Sequence, residues 1–207
     1  MNNIVNQLFN LAIQVLVAWL IWRHYRAKTY PAREKYSTFG PRFWTGSVDA
    51  CVMWPVGFLA AALLALELPS AIGVAVVISE NLVWLFYTVI MHARHGQTYG
   101  KMVCKVRVVD FRTEGAISFR QALFREGIPI VVSLGIVGYE IYLISTGALS
   151  QAAVAHGEFI KSPAFWLLAI LPFLWFVAEA VTMLTNAKRR ALHDYIAGTV
   201  VVRTNVL

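Results

Sequence analysis

Five apolar segments alternate with short loops along this chain, and almost all basic residues lie in every second loop. A helix needs about 20 apolar residues to cross the hydrocarbon core of a bilayer, which is about 30 Å thick. With 58% hydrophobic residues, the composition also differs from that of soluble domains. We therefore predict an all-α integral membrane protein with about five transmembrane helices. These spans are residues 4–22, 43–66, 71–91, 128–146 and 164–185.

The distribution of Lys and Arg predicts the orientation of these helices. Of 18 such residues, six lie in residues 23–42, seven in 94–125, four in 188–203, and the last is Lys161. Because Lys and Arg are retained on the cytoplasmic side, we expect the N-terminus outside and the C-terminus in the cytoplasm. The net charge of +7 then favours anionic lipid as a partner. A nucleic-acid partner is excluded, since no basic groove with interleaved aromatic residues is present.

The longest cytoplasmic loop contains signals for non-membrane structure. Residues 103–109 alternate in polarity and predict a strand, and residues 116–118 are the predicted returning strand of a short β-hairpin. Ser118 and Gln121 form a capping-box pattern, which predicts an interfacial helix ending near residue 127. On the other side of the membrane, the Ser162-Pro163 dipeptide predicts the start of the last transmembrane helix.

Four acidic residues fall within the predicted spans, and they are candidates for an ion or proton path. A charged group at the bilayer centre costs about 2.5–3.5 kcal/mol on insertion scales, so such groups face a protein interior or a watery cavity. Pro55 and Pro172 interrupt two helices and free backbone carbonyls, and Gly46 would permit close backbone approach. Alternatively, each acid is a hydrogen-bonded or ion-paired structural link. The four acids are Asp49, Glu80, Glu140 and Glu179.

The first helix carries amide side chains at spacings of three and four residues, which places them along one face. Amides are poor neighbours for lipid tails and good interhelical hydrogen-bonding partners. We expect this face either to pack on other helices or a second copy of the chain, or to lie partly in the outer headgroup zone. The residues of this amide stripe are Asn3, Asn6, Asn10 and Gln14.

Motifs typical of enzymes and cofactor sites are not found. The segment from Gly96 through Gly100 to Lys101 is not a phosphate loop, because three residues rather than four separate its glycines and Met102 follows the lysine. The two cysteines lack metal-site or disulfide spacing, and His92 with His95 has no suitably spaced further ligand. We therefore predict no enzymatic activity, catalytic residue, metal or cofactor.

Three ordered segments resemble the RDD family of multi-pass bacterial membrane proteins, named for one arginine and two aspartates. By this resemblance Arg42, Asp49 and Asp194 are the signature residues, and Gly96, Gly100 and Lys101 form a cytoplasmic turn. We expect Asp194 to pair with Arg42 or Lys101. The matching segments are residues 42–49 (RFWTGSVD), 96–101 (GQTYGK) with 105–110 (KVRVVD), and 191–194 (ALHD) with 197–202 (AGTVVV).

The resemblance implies a location in the bacterial cytoplasmic membrane and an organisation into three parts. These are an additional anchor (residues 1–22), a basic linker (23–41) and an RDD-like membrane domain (42–207). Monovalent cation/proton exchange has been suggested for some relatives, and it is the first hypothesis, with a homodimer expected if it holds. The second hypothesis is a non-transporting scaffold or assembly factor that binds a partner helix, anionic lipid or a cytoplasmic protein.

Overall fold

The computed structural model describes residues 2–207, with side chains from residue 8 onward. It is mostly helical, and two short strands lie among the helices. The elements in chain order are α1 (Asn2–Tyr25), α2 (Phe39–Leu64), α3 (Ser70–His95), α4 (Tyr99–Val103), β1 (Val106–Asp110), α5 (Phe119–Ser145), α6 (Gln151–Ala155), α7 (Pro163–Thr185), α8 (Leu192–Ala197) and β2 (Thr199–Arg203).

Four helices are long and apolar enough to cross a membrane, namely α2, α3, α5 and α7. They correspond to four of the five predicted spans, so the all-α membrane fold is confirmed. The remaining predicted span forms α1, a helix of 24 residues. In the described part of the chain, α1 is not one of the four helices that are long and apolar enough to cross a membrane. Its role as a fifth, anchoring span stays a prediction.

The helix ends follow the local sequence signals. At the start of α5 the Gln121 amide donates to Ser118 Oγ, and the Ser118 amide donates to Gln121 Oε1, which is the predicted capping box. At the start of α7, Ser162 Oγ accepts a hydrogen bond from the Phe165 amide. The predicted interfacial helix is not a separate element, because it continues through Pro129 into the transmembrane part of α5. An internal proline is tolerated in a membrane helix, where neighbouring groups compensate for the freed carbonyl.

The small sheet is present, but its second strand is not the predicted one. β1 pairs antiparallel with β2 from the C-terminal end of the chain, in a register that places Val108 opposite Val201. Residues 116–118 do not form a strand. The predicted first strand also begins later, at Val106, because α4 occupies residues 99–103 and Lys105 has a positive φ of 56°. Val106, Val108, Val200 and Val201 are fully buried, so burial of β-branched side chains favours the long-range pairing.

The chain divides into two compact units. Unit 1 comprises the chain up to Trp54 together with Tyr87–Glu126 and Ala178–Leu207, and it contains the sheet and all three basic loops. Unit 2 comprises Pro55–Phe86 and Gly127–Val177. Each unit has its own apolar cluster. In unit 1 the cluster is Val109, Val200 and Val202, with Tyr36 and Phe111 against it. In unit 2 it is Leu64, Val77, Val137, Leu143, Ile144 and Val154.

Candidate functional site

Asp194 lies at the centre of a buried ionic cluster in unit 1. Its side chain is fully buried, and its two oxygens face the guanidinium groups of Arg42 and Arg125. The same carboxylate accepts hydrogen bonds from Thr199 Oγ1 at 3.1 Å and from the Ala191 amide at 2.9 Å, which caps the start of α8. Burial alone would raise the pKa of Asp194, but Arg125 and Arg42 hold it well below its usual range. Asp194 is therefore an ionised, fully bonded group.

Arg42 connects this carboxylate to two further groups. One guanidinium nitrogen, Nη1, lies 2.8 Å from Asp194 Oδ2 and 3.2 Å from the backbone oxygen of Arg189. The other, Nη2, lies 2.9 Å from His193 Nε2, while His193 Nδ1 contacts the carboxylate of Glu179. Because an arginine can only donate, Nε2 is the acceptor and Nδ1 carries the proton that Glu179 accepts. Burial lowers the pKa of His193, which agrees with a neutral ring.

Asp49 is held by three neutral donors. The Tyr87 hydroxyl donates to Oδ1 at 2.6 Å, the Gly100 amide to Oδ1 at 2.7 Å, and the Thr98 hydroxyl to Oδ2 at 2.7 Å. These contacts join α2 to α3 and to the start of α4, and the Asp49 side chain is buried. A carboxylate with this many fixed donors has few lone pairs left for a cation. The arrangement therefore favours a structural role for Asp49, in which it holds α2 to α3 and to the start of α4.

Two glycines of the 96–101 turn are required by this geometry. Gly96 has a φ of +66°, and a Cβ there would lie 2.6 Å from the backbone oxygen of Val108. A Cβ on Gly100 would overlap the backbone oxygen of Thr45 and lie 2.8 Å from Asp49 Oδ2. The expectation of a close approach at Gly46 was wrong. Among the described residues, no heavy atom lies within 4 Å of a Cβ built on Gly46.

Lys101 lies beside Asp49 but forms no salt bridge or side-chain hydrogen bond with the residues that the structure describes. Burial, together with the nearby guanidinium of Arg125, lowers the pKa of its ammonium to about 8. Close to Lys101, His92 Nδ1 lies 3.2 Å from Glu126 Oε1, although without hydrogen-bond geometry. Of the two predicted partners of Asp194, Arg42 contacts its carboxylate and Lys101 does not, among the residues that the structure describes.

Unit 2 brings together the other two candidate acids. Glu80 of α3 and Glu140 of α5 are half-buried and interact electrostatically with each other. A Cβ on Gly57 of α2 would lie 3.3 Å from Glu80 Oε1, so this carboxylate reaches the backbone of a third helix. Within the described part of the chain, neither acid has a hydrogen bond or salt bridge. The whole of unit 2 contains one Lys or Arg, which is Lys161.

The four candidate acids therefore fall into two pairs, one in each unit. Asp49 and Glu179 belong to unit 1 and are bonded to different partners, while Glu80 and Glu140 belong to unit 2. Among the described residues, no group of three or more His, Cys, Asp and Glu side chains is arranged to hold a metal ion.

The amide stripe is described only in part. The side chains of Asn3 and Asn6 lie outside the described residues. Asn10 is exposed, and Gln14 is half-buried with an Oε1 that has no hydrogen-bond partner among the described residues. In the part of α1 whose side chains are described, large apolar side chains are also exposed, namely Leu8, Phe9, Ile13, Val15, Leu16, Trp19, Leu20 and Trp22.

Comparison with known proteins identifies the family. The model of the RDD family matches residues 36–198, which is most of the chain. The chain belongs to the RDD family. Its Arg42, Asp49 and Asp194 all lie within the matched residues of this RDD protein, whereas α1 and β2 lie outside them.

A relative of the chain is the "Uncharacterized membrane protein YteJ" of Bacillus subtilis (strain 168). It is 31% identical over 97 residues, an alignment that covers 44% of this RDD chain and 59% of the relative. The chain thus aligns with about three fifths of the length of this relative. No solved structure matches the chain.

Several partners of the signature residues were not predicted from the sequence. Arg125 was counted only among the basic residues of its loop, yet it is the second cation on Asp194. Tyr87 and Thr98 were not singled out as partners of Asp49. Thr98 is the threonine of the segment 96–101 (GQTYGK) that resembles the family, which is the one local signal that pointed to it. No spacing rule relates Tyr87 or Arg125 to their partners, because these contacts join segments distant in the chain.

Proposed function

We propose that this RDD protein exchanges protons for a monovalent cation across the membrane, and that Glu80 and Glu140 form the titrating site. The observation that supports this proposal is the electrostatic interaction of two half-buried carboxyl groups in a unit with a single Lys or Arg residue. The proposal includes a location in the bacterial cytoplasmic membrane with the basic loops inside, as the Lys and Arg distribution favours.

Two neighbouring carboxylates without a counter-charge repel each other, and in an apolar setting both cannot ionise without compensation. Protonation of one carboxyl relieves this repulsion, and a small cation bound after the proton leaves would relieve it as well. Competition between these two occupants is the chemistry that exchange requires. Gly57 contributes by leaving space beside the Glu80 carboxylate, where a larger residue would press on it.

Pro172 in α7 adds a backbone acceptor in the same unit. This proline lacks an amide proton, so the carbonyl one turn earlier, that of Leu168, is freed from the helical hydrogen-bond ladder. Freed carbonyls at membrane depth are the groups that coordinate small cations in broken-helix transporters. This carbonyl supports a cation as the second occupant of the Glu80–Glu140 pair.

The test uses the full chain in proteoliposomes with a trapped pH dye, to which sodium, lithium and potassium are added in turn. We expect a cation-dependent pH change with the wild type and its loss in Glu80→Gln and in Glu140→Gln. Glu158→Gln is the matched control, because it makes the same chemical change at an exposed acid of the same unit. Insertion and monodispersity are measured for every variant.

An Asp49→Asn arm separates this proposal from the sequence-based hypothesis, in which Asp49 itself exchanges proton and cation. If Asp49→Asn inserts, folds and loses exchange while the Glu80 and Glu140 variants retain it, the site belongs at Asp49. Inserted wild-type protein that gives no pH change with any of the three cations across a range of pH would reject exchange.

The second candidate function is a membrane scaffold that binds a partner helix through α1. The exposed amide of Asn10 among large exposed apolar side chains favours it, since an amide facing lipid gains hydrogen bonds only by meeting another helix. Asn10→Leu would then weaken co-purification of a partner or of a second copy without changing ion flux. The same substitution at Gln14 would weaken it further. Unchanged co-purification in both variants would exclude this role for the amide stripe.

A further inference from the structure

Arg203, the last residue of β2, carries a guanidinium group whose charge is not balanced by the described residues. The side chain is 8% exposed. Its backbone is fixed on two sides, since Arg203 pairs with Val106 across the sheet and its amide donates to the Lys35 oxygen at 2.9 Å. The guanidinium carbon lies 3.6 Å from the centroid of the Tyr30 ring, so the ring covers one face of the group.

The in-plane hydrogen-bond donors of this guanidinium lack acceptors. Nε and Nη1 are both buried and have no hydrogen-bond partner among the described residues. Stacking on an aromatic ring offsets part of the cost of burying the charge, but it does not satisfy N–H groups that point along the guanidinium plane. A buried cation is stable when it is paired and hydrogen-bonded, so this geometry calls for an anionic acceptor.

The neighbouring carboxylates do not supply it. Glu114 contacts the Lys35 ammonium and the Tyr36 hydroxyl. Glu34, the one acid of the segment 23–35, has no ion pair in the described part of the chain, while that segment carries five Lys and Arg residues. The buried Tyr25 interacts electrostatically with Arg203 and adds no negative charge at neutral pH. The surroundings of the guanidinium are therefore strongly positive.

We propose that Arg203 and the Tyr30 ring form a binding site for a phosphate group. The two terminal nitrogens of a planar guanidinium, Nη1 and Nη2, present donors in a fork that matches two oxygens of one phosphate, and the basic segment 23–35 would attract such an anion. The phosphate belongs either to an anionic phospholipid or to a free phosphate ion. Tyr25, Tyr30 and Arg203 all lie outside the family match at residues 36–198, so this site is an addition to the RDD part of the chain. It is independent of the exchange proposed for Glu80 and Glu140.

The test measures the thermal unfolding midpoint of the full chain in detergent by intrinsic tryptophan fluorescence. Inorganic phosphate, phosphatidylglycerol and phosphatidylcholine are titrated separately, the lipids in mixed micelles. We expect phosphatidylglycerol, inorganic phosphate or both to raise the wild-type midpoint. Arg203→Gln should weaken the apparent affinity by at least about tenfold, because charge-assisted hydrogen bonds are lost. Arg112→Gln is the matched control, since it removes the same charge from an exposed position.

The separate titrations distinguish the two sources of the phosphate, and they can also contradict the proposed site. A response to phosphatidylglycerol alone assigns a lipid phosphate, and a response to inorganic phosphate assigns the free ion. Equal responses of Arg203→Gln and wild type, or no response of the wild type to either anion, would overturn the proposal. If Arg203→Gln does not fold, Arg203→Lys replaces it. That variant keeps the charge and loses the fork, so an affinity equal to that of the wild type would reject recognition by the guanidinium.

Discussion

The guanidinium of Arg42, in the first turn of α2, lies 2.8 Å from the carboxylate of Asp194 in α8, and both side chains are buried. Arg125 of α5 approaches the other oxygen of the same carboxylate. Three segments that are distant in the chain are thereby joined at one acidic group. In such an arrangement the carboxylate compensates two buried cations. Its loss therefore lowers the free energy of unfolding more than the loss of an exposed ion pair does.

Replacement of Asp194 by Asn is therefore expected to destabilise the protein by about 3–5 kcal/mol, the cost of leaving buried charge uncompensated. The measurement is the free energy of unfolding in mixed detergent micelles, with Glu158→Gln as a control that neutralises an exposed acid. A change smaller than about 1 kcal/mol would show that Arg42 and Arg125 find other partners, since that is the range of exposed pairs.

The same carboxylate predicts loss of stability in acid. Arg125 and Arg42 hold the pKa of Asp194 well below its usual range in the folded protein, against the effect of burial. The unfolded chain, with an Asp pKa of about 3.9, binds a proton first as pH falls. The contribution of Asp194 to the free energy of unfolding is thus fully present above about pH 4 to 5 and declines below that range. Wild type and Asp194→Asn should therefore converge in unfolding midpoint as pH decreases, and parallel profiles would contradict this.

The two glycines Gly100 and Gly46 give a matched test of the contact around Asp49. A methyl group on Gly100 would overlap the Thr45 oxygen and crowd Asp49 Oδ2, and overpacking of this kind costs about 1–3 kcal/mol. Gly46→Ala introduces the same methyl group where no described heavy atom lies within 4 Å, and alanine favours a helix by up to about 1 kcal/mol. Unfolding midpoints should fall for Gly100→Ala and not for Gly46→Ala. Equal effects would contradict the close approach at Gly100.

These contacts also show which parts of the structure were predictable from one sequence. The lengths of apolar runs and local caps such as Ser118 with Gln121 depend on neighbouring residues, and they predicted the long helices and two of their starts. The pairing of β1 with β2 depends on which distant segment buries the valines of the sheet, and the sequence-based prediction selected the wrong partner. Whether a glycine meets a neighbour is likewise a property of packing, so Gly46 was chosen where Gly100 makes the contact.

The same distinction between local sequence signals and long-range packing applies to the candidate site. The pair of Arg42 and Asp194 followed from the family resemblance, and the structure contains it. The proximity of Glu80 and Glu140 did not follow from any spacing, because the two acids lie on different helices and their mutual orientation depends on how those helices pack. Arg203 was counted only among the basic residues of its loop. Its lack of an acceptor is visible only when the surroundings of β2 are known.

Lys101 predicts a gain of stability at alkaline pH. Burial, assisted by Arg125, lowers the pKa of its ammonium from 10.5 to about 8, while Asp49 and Glu126 oppose the shift and Arg42 adds to it. Between these two pH values the unfolded chain binds more protons than the folded protein, so the contribution of Lys101 to stability rises with pH. Below about pH 8 the folded protein carries the buried charge and its full cost. The wild type should therefore gain stability from pH 8 toward 10.5 relative to Lys101→Met, in which no ammonium is buried. Lys161→Met, at an exposed lysine, should keep the wild-type profile. A rise of equal size in Lys101→Met would assign the alkaline gain to another group.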